Sequence, residues 1–589
     1  MHDRSRRADP PAWLLLLAFT IIAIALAFPA VSRLHTSVAG NSGDSLLNLW
    51  IMRSVQTGLP HGWHAFWDAR IFHPALNTLA YSETLLPEAL VHWILRPVFG
   101  DAMSFNLIYL AAWVLCSWWT YLLARRVVTH WSAAFVAALA FTYSSVRMAH
   151  HGHFQLVVGG AFVPLVILLL LRLLERPSVP RGLALGVAFA ATALTASYYG
   201  AMLGVVVVVI LGGWLIDQRH PPTRAQLLEL GAAAGVVLVL VAPISVQYVR
   251  IQRDPIFRHA FDPTMAARPG DYLAAPSPNH LVHWLPAIGS ASSPTRDVEH
   301  RLFPGLLALG LGALGLYWLV REIRRRGWRA GRARDLVLIA VAGLLVTFLA
   351  FGDWFRVEGH RIWLPFALLR HAVPGFAGIR AVSRFAVLGE LALAVFAAVG
   401  LDRVLHRLAP RRRWVLVALL TAFVILESAV GLQFVRVPTS HDDGGVDVVL
   451  RSAPRGVVLE LPIVSSSDGG EAWAFVETPR QLVAVHDGDP RVNGYSGFEP
   501  AGFNKQARTL NRFPLPAALA QARALGVRYV VLRTKLVGSI TPSSYTKQLD
   551  ADGVGRYTDA TARRMLRALP PGGADHVDRV PGGYVIELR

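Results

Sequence analysis

The amino-acid sequence predicts a polytopic α-helical membrane protein that carries a small α/β domain at its C-terminal end. Of the 589 residues, 54% are hydrophobic and only 16% are charged, which is too apolar for a set of soluble domains. Apolar runs close to the roughly 20 residues that cross a bilayer recur between Trp13 and Phe434 and then stop. From about Arg436 to Arg589 the composition is that of a soluble domain of ordinary size.

The formal net charge of +19 is explained by topology. A basic balance can indicate nucleic-acid binding, but here the arginines concentrate in short loops between apolar spans, which is typical of loops kept in the cytoplasm. We therefore expect no nucleic-acid partner. Cys116 is the only cysteine and falls within a span, so the sequence excludes both a disulfide and a cysteine zinc cluster.

The N-terminal segment places Arg4, Arg6 and Arg7 ahead of a first apolar span, Trp13 to Val31. The flanking charge is typical of a signal peptide, but no convincing small-residue cleavage site follows. We therefore expect an uncleaved first helix with its N-terminus in the cytoplasm. Residues 32–104 then form a long outer loop.

Ten more spans are predicted after this loop, which gives about eleven on a window of roughly 20 residues. They run approximately over Phe105–Leu123, Ala133–Met148, Leu156–Leu174, Leu183–Tyr199, Ala201–Ile216, Leu227–Val249, Leu302–Val320, Leu336–Phe351, Phe385–Leu405 and Trp414–Phe434. An odd number of spans places the C-terminus outside. We expect a membrane domain at 1–435 and an extracytoplasmic domain at 436–589.

The C-terminal domain alternates predicted strands with a helix. Runs rich in β-branched residues begin at Gly456, Gln481, Val527 and Tyr584, and each predicts a strand. Leu515 to Leu525 predicts a helix that Gly526 closes. This alternation indicates a small α/β fold.

Asp44, in the first outer loop, has two possible roles. It precedes apolar residues at helical spacing, which predict an amphipathic helix in the membrane interface: Leu46, Leu47, Trp50, Ile51 and Val55. Its carboxylate could accept a proton from an attacking hydroxyl as a general base. It could instead cap the helix, and the residues alone favour the cap, because Asp before an apolar periodic run is a common helix start.

The segment HHGHFQ, from His150 to Gln155, follows the third span on the outer side. His150, His151 and His153 could bind a metal, or they could contact a phosphate or a sugar. Three histidines are too few for a structural zinc site, so a phosphate or sugar contact is the better interpretation. Gln155 joins them as a weaker candidate.

Two arginines, Arg380 and Arg384, lie at the outer end of the tenth span. Their spacing of four predicts that they share one face of a helix, where two guanidinium groups suit a phosphate. The alternative is that both reach to lipid headgroups. Weaker substrate-binding candidates are Glu83, Tyr198 and Tyr199, for which a structural role is the better explanation. The loop NGYSGF presents Tyr495 and Phe498, which could stack on a sugar ring, although turn formation alone also explains this loop.

Several motifs resemble bacterial YfhO-type membrane proteins: FHP at 72–74, LFPGLL at 302–307, PGF and IRAVSRF within 374–385, VLELP at 458–462, VNGYSGFEP at 492–500 and GVRYVVLR at 526–533. The long first outer loop with an early acid, the eleven spans and the outer α/β domain resemble the GT-C class of membrane glycosyltransferases. The resemblance covers nearly the whole chain.

The GT-C resemblance implies transfer of a sugar from a polyprenyl-phosphate carrier to an envelope acceptor on the outer side, with inversion. In that class the first-loop Asp is the usual base, which corresponds to Asp44, while Arg380 and Arg384, with His151 and His153, would hold the carrier phosphate. No cofactor is firmly implied. Asp44 is followed by Ser45, and the next acidic residue is Asp68, so a divalent metal is not favoured.

Two other function classes remain open. A transporter or flippase of lipid-linked glycans would need charged residues along its spans, and only Glu390 and Glu427 stand out there. A non-catalytic scaffold for envelope assembly would tolerate changes at Asp44. Because the candidate residues cluster at the outer ends of the spans, the sequence favours an enzyme.

Overall fold

The computed structural model describes residues 9–28, 30–41, 43–218, 221–257, 261–274, 298–329, 332–358, 360–470, 472–538 and 554–589. Arg4, Arg6 and Arg7, on which the predicted cytoplasmic N-terminus rests, lie outside these described residues. The chain divides into two compact units. The first unit comprises Met1–Val31, Tyr109–His151 and Gln155–Leu432, and the second comprises Ser32–Ile108, Gly152–Phe154 and Gln433–Arg589.

Each of the eleven predicted spans overlaps a helix in the structure. The helices are α1 Ala12–Ala27, α4 Leu86–Arg125, α5 Trp131–Thr142 with α6 Ser145–Ala149, α7 Phe154–Glu175, α8 Val179–Thr195, α9 Ser197–Asp217, α10 Arg224–Ile251, α11 Leu306–Arg326, α12 Arg332–Leu349, α14 Ala386–His406 and α15 Pro410–Ser428. Helix α4 begins in the second unit and ends in the first.

Among the described residues, seven of these elements are long and apolar enough to cross a membrane. The other four are α1, α8, α12 and α15. Helices α1 and α8 have 16 and 17 residues, about 24–26 Å at 1.5 Å per residue, against a hydrocarbon core of roughly 30 Å. Helices α12 and α15 carry charges within their length, including Arg334 and Asp335 in the first of them and Arg412 in the second.

Small residues let α11 and α14 pack closely in the first unit. A Cβ added at Gly315 would lie 2.0 Å from the Phe396 carbonyl oxygen, and one added at Gly400 would lie 2.1 Å from that of Leu311. Helices in a membrane gain stability from such backbone approach, because lipid offers no hydrophobic driving force for their association. Any larger residue at these two positions would push the helices apart.

The second unit joins Ser32–Ile108 to the C-terminal segment Gln433–Arg589. Strand β1, Ser37–Ala39, pairs antiparallel with β4, Phe434–Arg436. The backbone N–H of Phe72 donates to the Asn493 carbonyl at 3.0 Å. Residues 32–104 thus belong to the same compact unit as the C-terminal segment, whereas the division predicted from composition groups them with the membrane domain. Backbone pairing between distant segments cannot be read from composition.

A four-stranded sheet forms the core of the C-terminal part of the second unit. Its strands are β5 Val457–Leu461, β6 Val527–Arg533, β7 Ala574–Val580 and β8 Gly583–Leu588, in the order β5-β6-β8-β7. Strands β5 and β6 are parallel, and the other neighbours are antiparallel. The predicted strands at Gly456, Val527 and Tyr584 are confirmed. So is the helix before Gly526, which is α20, Pro516–Ala524.

Two predicted elements of this unit are wrong. The run from Gln481 belongs to helix α18, Ala472–Ala484, and is not a strand. Helix α2, Asp44–Gly58, is buried on all sides, including Arg53 and Gln56, so it is not the amphipathic surface helix that its apolar spacing predicts. Residues of the C-terminal segment cover it: a Cβ at Gly43 would lie 3.2 Å from the Ala474 side chain.

Candidate functional site

Asp44 is the first residue of helix α2 and does not cap it. The side-chain oxygen of Asn41 accepts hydrogen bonds from the backbone N–H groups of Gly43 and Asp44, at 2.9 and 2.8 Å. These bonds satisfy donors that a helix N-terminus otherwise leaves unpaired. The Asp44 carboxylate is therefore not used for capping, and its negative charge lies at the end of the helix that favours it.

His153 is the ionisable neighbour of Asp44. Its Nε2 atom lies 3.4 Å from the Asp44 Oδ2 atom, and the two side chains are 23% and 31% exposed. This contact joins two residues that the sequence predicted as site residues. The carboxylate is thus both partly accessible to solvent and close to a group that can hold or donate a proton.

Gly40 allows the segment that carries His153 to approach α2. Its φ is +108°, and a Cβ there would lie 2.0 Å from the Ser45 Oγ atom and 2.8 Å from the Gly152 carbonyl oxygen. The Ser45 hydroxyl donates to the Ala39 carbonyl at 2.6 Å and lies 3.3 Å from that of Gly152. Only glycine fits this turn, so the geometry beside Asp44 is fixed by backbone.

The strand that leads to Gly40 is held by one buried amide. Asn106 accepts from the Ala39 N–H at 3.1 Å and donates to the carbonyls of Leu34 and Ser37 at 2.9 and 2.7 Å. The sequence did not indicate that Asn106 and Asn41 fix the backbone beside Asp44. A signal was present for Asn41, because Asn shortly before a helical run is a frequent capping residue.

Arg384 lies in the first unit and is bound by a carboxylate that the sequence did not indicate. Its Nη2 atom donates to Glu299 Oε1 at 2.6 Å, and its Nε atom donates to the same oxygen at 3.0 Å. The Ser383 hydroxyl donates to Glu299 Oε2 at 2.9 Å. Burial favours the neutral form of Glu299, but Arg384 and His150 outweigh it and hold the pKa of this carboxyl well below its usual range.

Arg380 and Arg384 do not share a helix face, which corrects the prediction from their spacing. Arg384 belongs to a 3-10 turn, Val382–Phe385, and Ala381, which precedes this turn, has a non-helical backbone with φ of −93° and ψ of 88°. Arg384 is buried, with the ring of Tyr198 5.3 Å from its guanidinium carbon, whereas Arg380 is exposed. The Arg380 backbone N–H lies 3.5 Å from the Tyr198 hydroxyl.

A cleft of about 410 Å³ opens beside the segment that leads to Arg380. Its lining includes Arg253, two residues past the end of helix α10, together with Arg370, His371 and Gly375. Arg370 is paired with Asp353 at 2.9 Å, and Arg253 is exposed. Sequence reasoning missed this cleft, because Arg253 is remote in the chain from the others.

The three histidines of HHGH have separate environments. His150 is buried, with Nε2 3.4 Å from Glu299 Oε2 and Nδ1 2.9 Å from the Val146 carbonyl. His151 donates from Nδ1 to the Met148 carbonyl at 2.7 Å, and burial lowers its pKa. His151 is therefore a neutral hydrogen-bonding group at neutral pH and does not serve as a cation.

The loop that presents Tyr495 is firmly held in the second unit. Gln481 accepts from the Tyr495 N–H at 3.0 Å and donates to its carbonyl at 3.3 Å, and the Trp473 indole donates to the Gly494 carbonyl at 2.7 Å. The Tyr495 and Trp473 rings meet edge to face at 4.8 Å. Tyr495 is half-buried, so part of its ring faces outward from a rigid loop.

Three of the weaker candidate residues are at least partly buried. Glu83 is half-buried in the irregular segment before α4, and Gln155 is half-buried in the first turn of α7. Tyr199 is buried beside Gly159 and Gly160. The two acids that a transporter would use take part in hydrogen bonds between helices: Glu390 accepts from Ser144 at 2.6 Å, and Glu427 accepts from the Leu306 N–H at 2.6 Å.

One group of side chains in the described part of the chain has metal-ligand spacing. It consists of His130, Asp402 and His406, whose potential ligand atoms lie within 4.8 Å of one another. His130 Nδ1 already contacts Asp402 at 2.9 Å, and the Arg413 guanidinium lies 3.4 Å from His130 Nε2. An arginine so close makes this corner unfavourable for a cation.

Solved structures of membrane glycosyltransferases share this fold. The mycobacterial arabinofuranosyltransferase AftD matches all of this chain with a TM-score of 0.62 and 14% identity, and the chain spans 40% of the AftD length. The Archaeoglobus fulgidus oligosaccharyltransferase in its apo form matches 88% of this chain and 69% of its own, with a TM-score of 0.50 and 14% identity. ArnT from Cupriavidus metallidurans matches over 98% of both chains with 14% identity and a TM-score of 0.44.

The chain has the GT-C membrane fold, as the sequence resemblance implied; the narrower YfhO-type resemblance is not shown. No curated protein matches the sequence. A family model described as a domain of unknown function, DUF6311, matches residues 15–429, which is well over half of the sequence. The chain therefore belongs to the DUF6311 family.

Proposed function

We propose that this protein is a membrane glycosyltransferase that moves a sugar from a polyprenyl-phosphate carrier to an envelope acceptor, with inversion, at the outer face of a bacterial inner membrane. The observation that carries the proposal is the Asp44 carboxylate, which is 31% exposed, is not used as a cap and lies 3.4 Å from His153. The fold supports it, since an arabinofuranosyltransferase and an oligosaccharyltransferase share that fold.

Asp44 acts as the general base in the proposed reaction. The acceptor hydroxyl oxygen attacks the anomeric carbon as its proton passes to the carboxylate. The bond between that carbon and the phosphate oxygen breaks, and its electron pair leaves with the phosphate. His153, whose Nε2 atom lies 3.4 Å from the Asp44 Oδ2 atom, supports this step by orienting the carboxylate. Because Asp44 is followed by Ser45 and not by a second acid, a divalent metal is not favoured.

Arg380 is our candidate for binding the carrier phosphate. It is exposed, and no ion pair within the described ranges includes it, whereas the charge of Arg384 is balanced by Glu299 at 2.6 Å. Arg384 then serves as a positioning residue: it holds Tyr198, which contacts the Arg380 backbone. His151 contributes as a neutral hydrogen-bonding group, in keeping with its lowered pKa.

Tyr495 is the candidate for contact with a sugar ring. Its loop is fixed by the two hydrogen bonds of Gln481, so the partly exposed ring loses little entropy when a ligand packs on it. Glu83, Gln155 and Tyr199 remain weaker candidates for substrate contact.

The test is sugar transfer by purified full-length protein from a panel of polyprenyl-phosphate sugars. We expect Asp44→Asn to lower the rate by about 10²–10⁴-fold, the usual contribution of a general base. Asparagine keeps the size of the side chain but cannot accept the proton, and Asn41 still caps the helix.

Asp468→Asn provides a matched control. Asp468 is another partly exposed acid of the same unit, and it pairs with Arg508 at the surface. The Asp468→Asn variant should transfer sugar at the wild-type rate. Equal rates for wild type and Asp44→Asn would refute the assignment of the base.

A further inference from the structure

The first half of helix α4, residues 86–99, has its apolar side outward and its polar side inward. Leu90, Ile94 and Val98, four residues apart, are 41%, 77% and 77% exposed. Glu88 and His92 each lie two residues from Leu90 and hence about 200° away around the helix axis, and they are only 3% and 0% exposed. Such an inverted helix would place an uncovered apolar stripe in water, which monomeric soluble proteins avoid.

The same helix is continuous with a membrane span. Gly100, with φ of +74°, breaks the helix, and Asp101–Arg125 then continues as the apolar remainder of α4. Trp93 and Phe99 add aromatic rings to the outward face at 37% and 42% exposure. A Trp-bearing apolar face that ends where a span begins fits the boundary between headgroups and acyl chains.

The inward side is locked to helix α2, which begins at Asp44. Gln56 donates to His92 Nδ1 at 2.9 Å and to the Ala89 carbonyl at 3.0 Å. His92 therefore carries its proton on Nε2, which donates to the Asp101 carbonyl at 3.2 Å. Arg53 pairs with the Asp101 carboxylate at 2.6 Å, so the bend at Gly100 is fixed from both sides.

We propose that residues 86–99 form a membrane anchor whose outward face inserts into the bilayer interface and which, through Arg53, Gln56 and His92, holds helix α2 at a set height over the lipid. Asp44 lies nine residues before Arg53, about 14 Å along the helix. The anchor thereby fixes the depth of Asp44 relative to the membrane. That this depth matters for catalysis rests on the proposed function, whereas the insertion of residues 86–99 into the bilayer interface does not.

The test uses single cysteines labelled with an environment-sensitive fluorophore in full-length protein in lipid nanodiscs. The one native cysteine, Cys116, is buried, and unsubstituted protein gives the labelling blank. Labels go at Ile94→Cys and Val98→Cys. Lys505→Cys, on an exposed helix of the second unit, is the water control, and Leu344→Cys, 72% exposed on α12, is the lipid control.

At positions 94 and 98 we expect blue-shifted emission, loss of quenching by aqueous iodide, and quenching by bromine-labelled lipids. Lipids brominated near the headgroup should quench more than lipids brominated near the chain end, because interfacial helices insert only about 5–10 Å. Iodide quenching equal to that of Lys505→Cys would overturn the proposal. Protection from both quenchers would also overturn it, since protein would then cover the face.

A second variant tests the lock. Arg53→Gln removes the ion pair with Asp101, and we expect the label at position 94 to regain part of its iodide quenching as the anchor loosens. Unchanged quenching would overturn the locking step. None of these readouts depends on sugar transfer, so failure of the docking and failure of the proposed function are distinguished.

Discussion

Asp44 and Glu299 each have a histidine 3.4 Å from a carboxylate oxygen, yet their surroundings differ in every other respect. Glu299 is 7% exposed and receives three hydrogen bonds from the Arg384 guanidinium and one from Ser383. Asp44 is 31% exposed, and no arginine or lysine pairs with it in the described part of the chain. A carboxylate bound by a buried guanidinium is a structural element, whereas one left beside a histidine can exchange a proton.

Removing Glu299 should have the largest effect on stability. Glu299→Ala leaves Arg384 buried without its partner, which costs about 3–5 kcal/mol of unfolding free energy. Thermal unfolding in detergent would show the loss. The double variant Glu299→Leu with Arg384→Met removes both charges and should recover most of it. A single variant as stable as wild type would show that Glu299 has no such structural role.

A substitution at Gly40, which lies beside Asp44, should cause the next largest loss of stability. Gly40→Ala places a Cβ 2.0 Å from the Ser45 Oγ atom at a φ of +108°. Such backbone strain costs about 1–3 kcal/mol. Thermal unfolding measures this loss, and Gly62→Ala, also at positive φ but with open space around its Cβ, separates the strain from the clash. The two variants should differ, and equal losses would contradict the tight packing at Gly40.

Removing the cap should cost less. Asn41→Ala leaves the N–H groups of Gly43 and Asp44 without their acceptor, at about 1 kcal/mol. Asn41→Asp keeps an acceptor and should retain most of the stability. If Asn41→Ala left stability unchanged while Asp44→Asn lowered it, Asp44 would be the helix cap. Asp44 would then be a structural acid, as Glu299 is.

A prediction on pH dependence concerns a third acid, Glu477, which is buried like Glu299 but has fewer cationic groups around it. Burial there outweighs the single Arg480 contact and raises the pKa of Glu477 to about 7. Because the folded pKa lies above the ordinary 4.5, wild-type stability should fall as the pH rises from about 4.5 to about 7. Glu477→Gln should flatten this part of the stability profile, and an unchanged slope would contradict the raised pKa.

Glu460 shows the opposite balance in the same unit. Burial opposes its charge, but Arg533, Arg491 and Arg480 together lower its pKa to about 2. Its stabilising contribution is therefore present above the ordinary 4.5 and is lost as the pH falls towards 2. In these two acids, the balance between burial and the neighbouring guanidinium groups sets the direction of the pKa shift.

The eleven helices could be predicted because each contains a long apolar run, and strands β5, β6 and β8 could be predicted because they are rich in β-branched residues. The ion pair of Glu299 and Arg384 could not be, since 85 residues separate the partners. The burial of α2 was hidden for a similar reason. Its apolar spacing is that of a surface helix, and the segment that covers it begins more than 400 positions later, at Ala472.

The candidate site was predictable in part. The sequence indicated Asp44 and His153, and the structure places them 3.4 Å apart. Chemical type alone made Arg380 and Arg384 equivalent, but burial and the Glu299 contact separate them. The residues that fix the backbone beside Asp44 escaped notice, because Asn41, Gly40 and Asn106 act through hydrogen bonds and conformation, which leave no charge or hydropathy pattern.

Rescue of Asp44→Ala by formate is the most direct test of the contrast between the two acids. Alanine leaves room for a small carboxylate, so added formate should restore transfer that the variant has lost by about 10²–10⁴-fold. Formate should not restore Glu299→Ala, whose loss is one of structure. We expect rescue at Asp44 alone. A wild-type rate for Asp44→Ala without formate, or equal rescue of both variants, would show that Asp44 is not the general base.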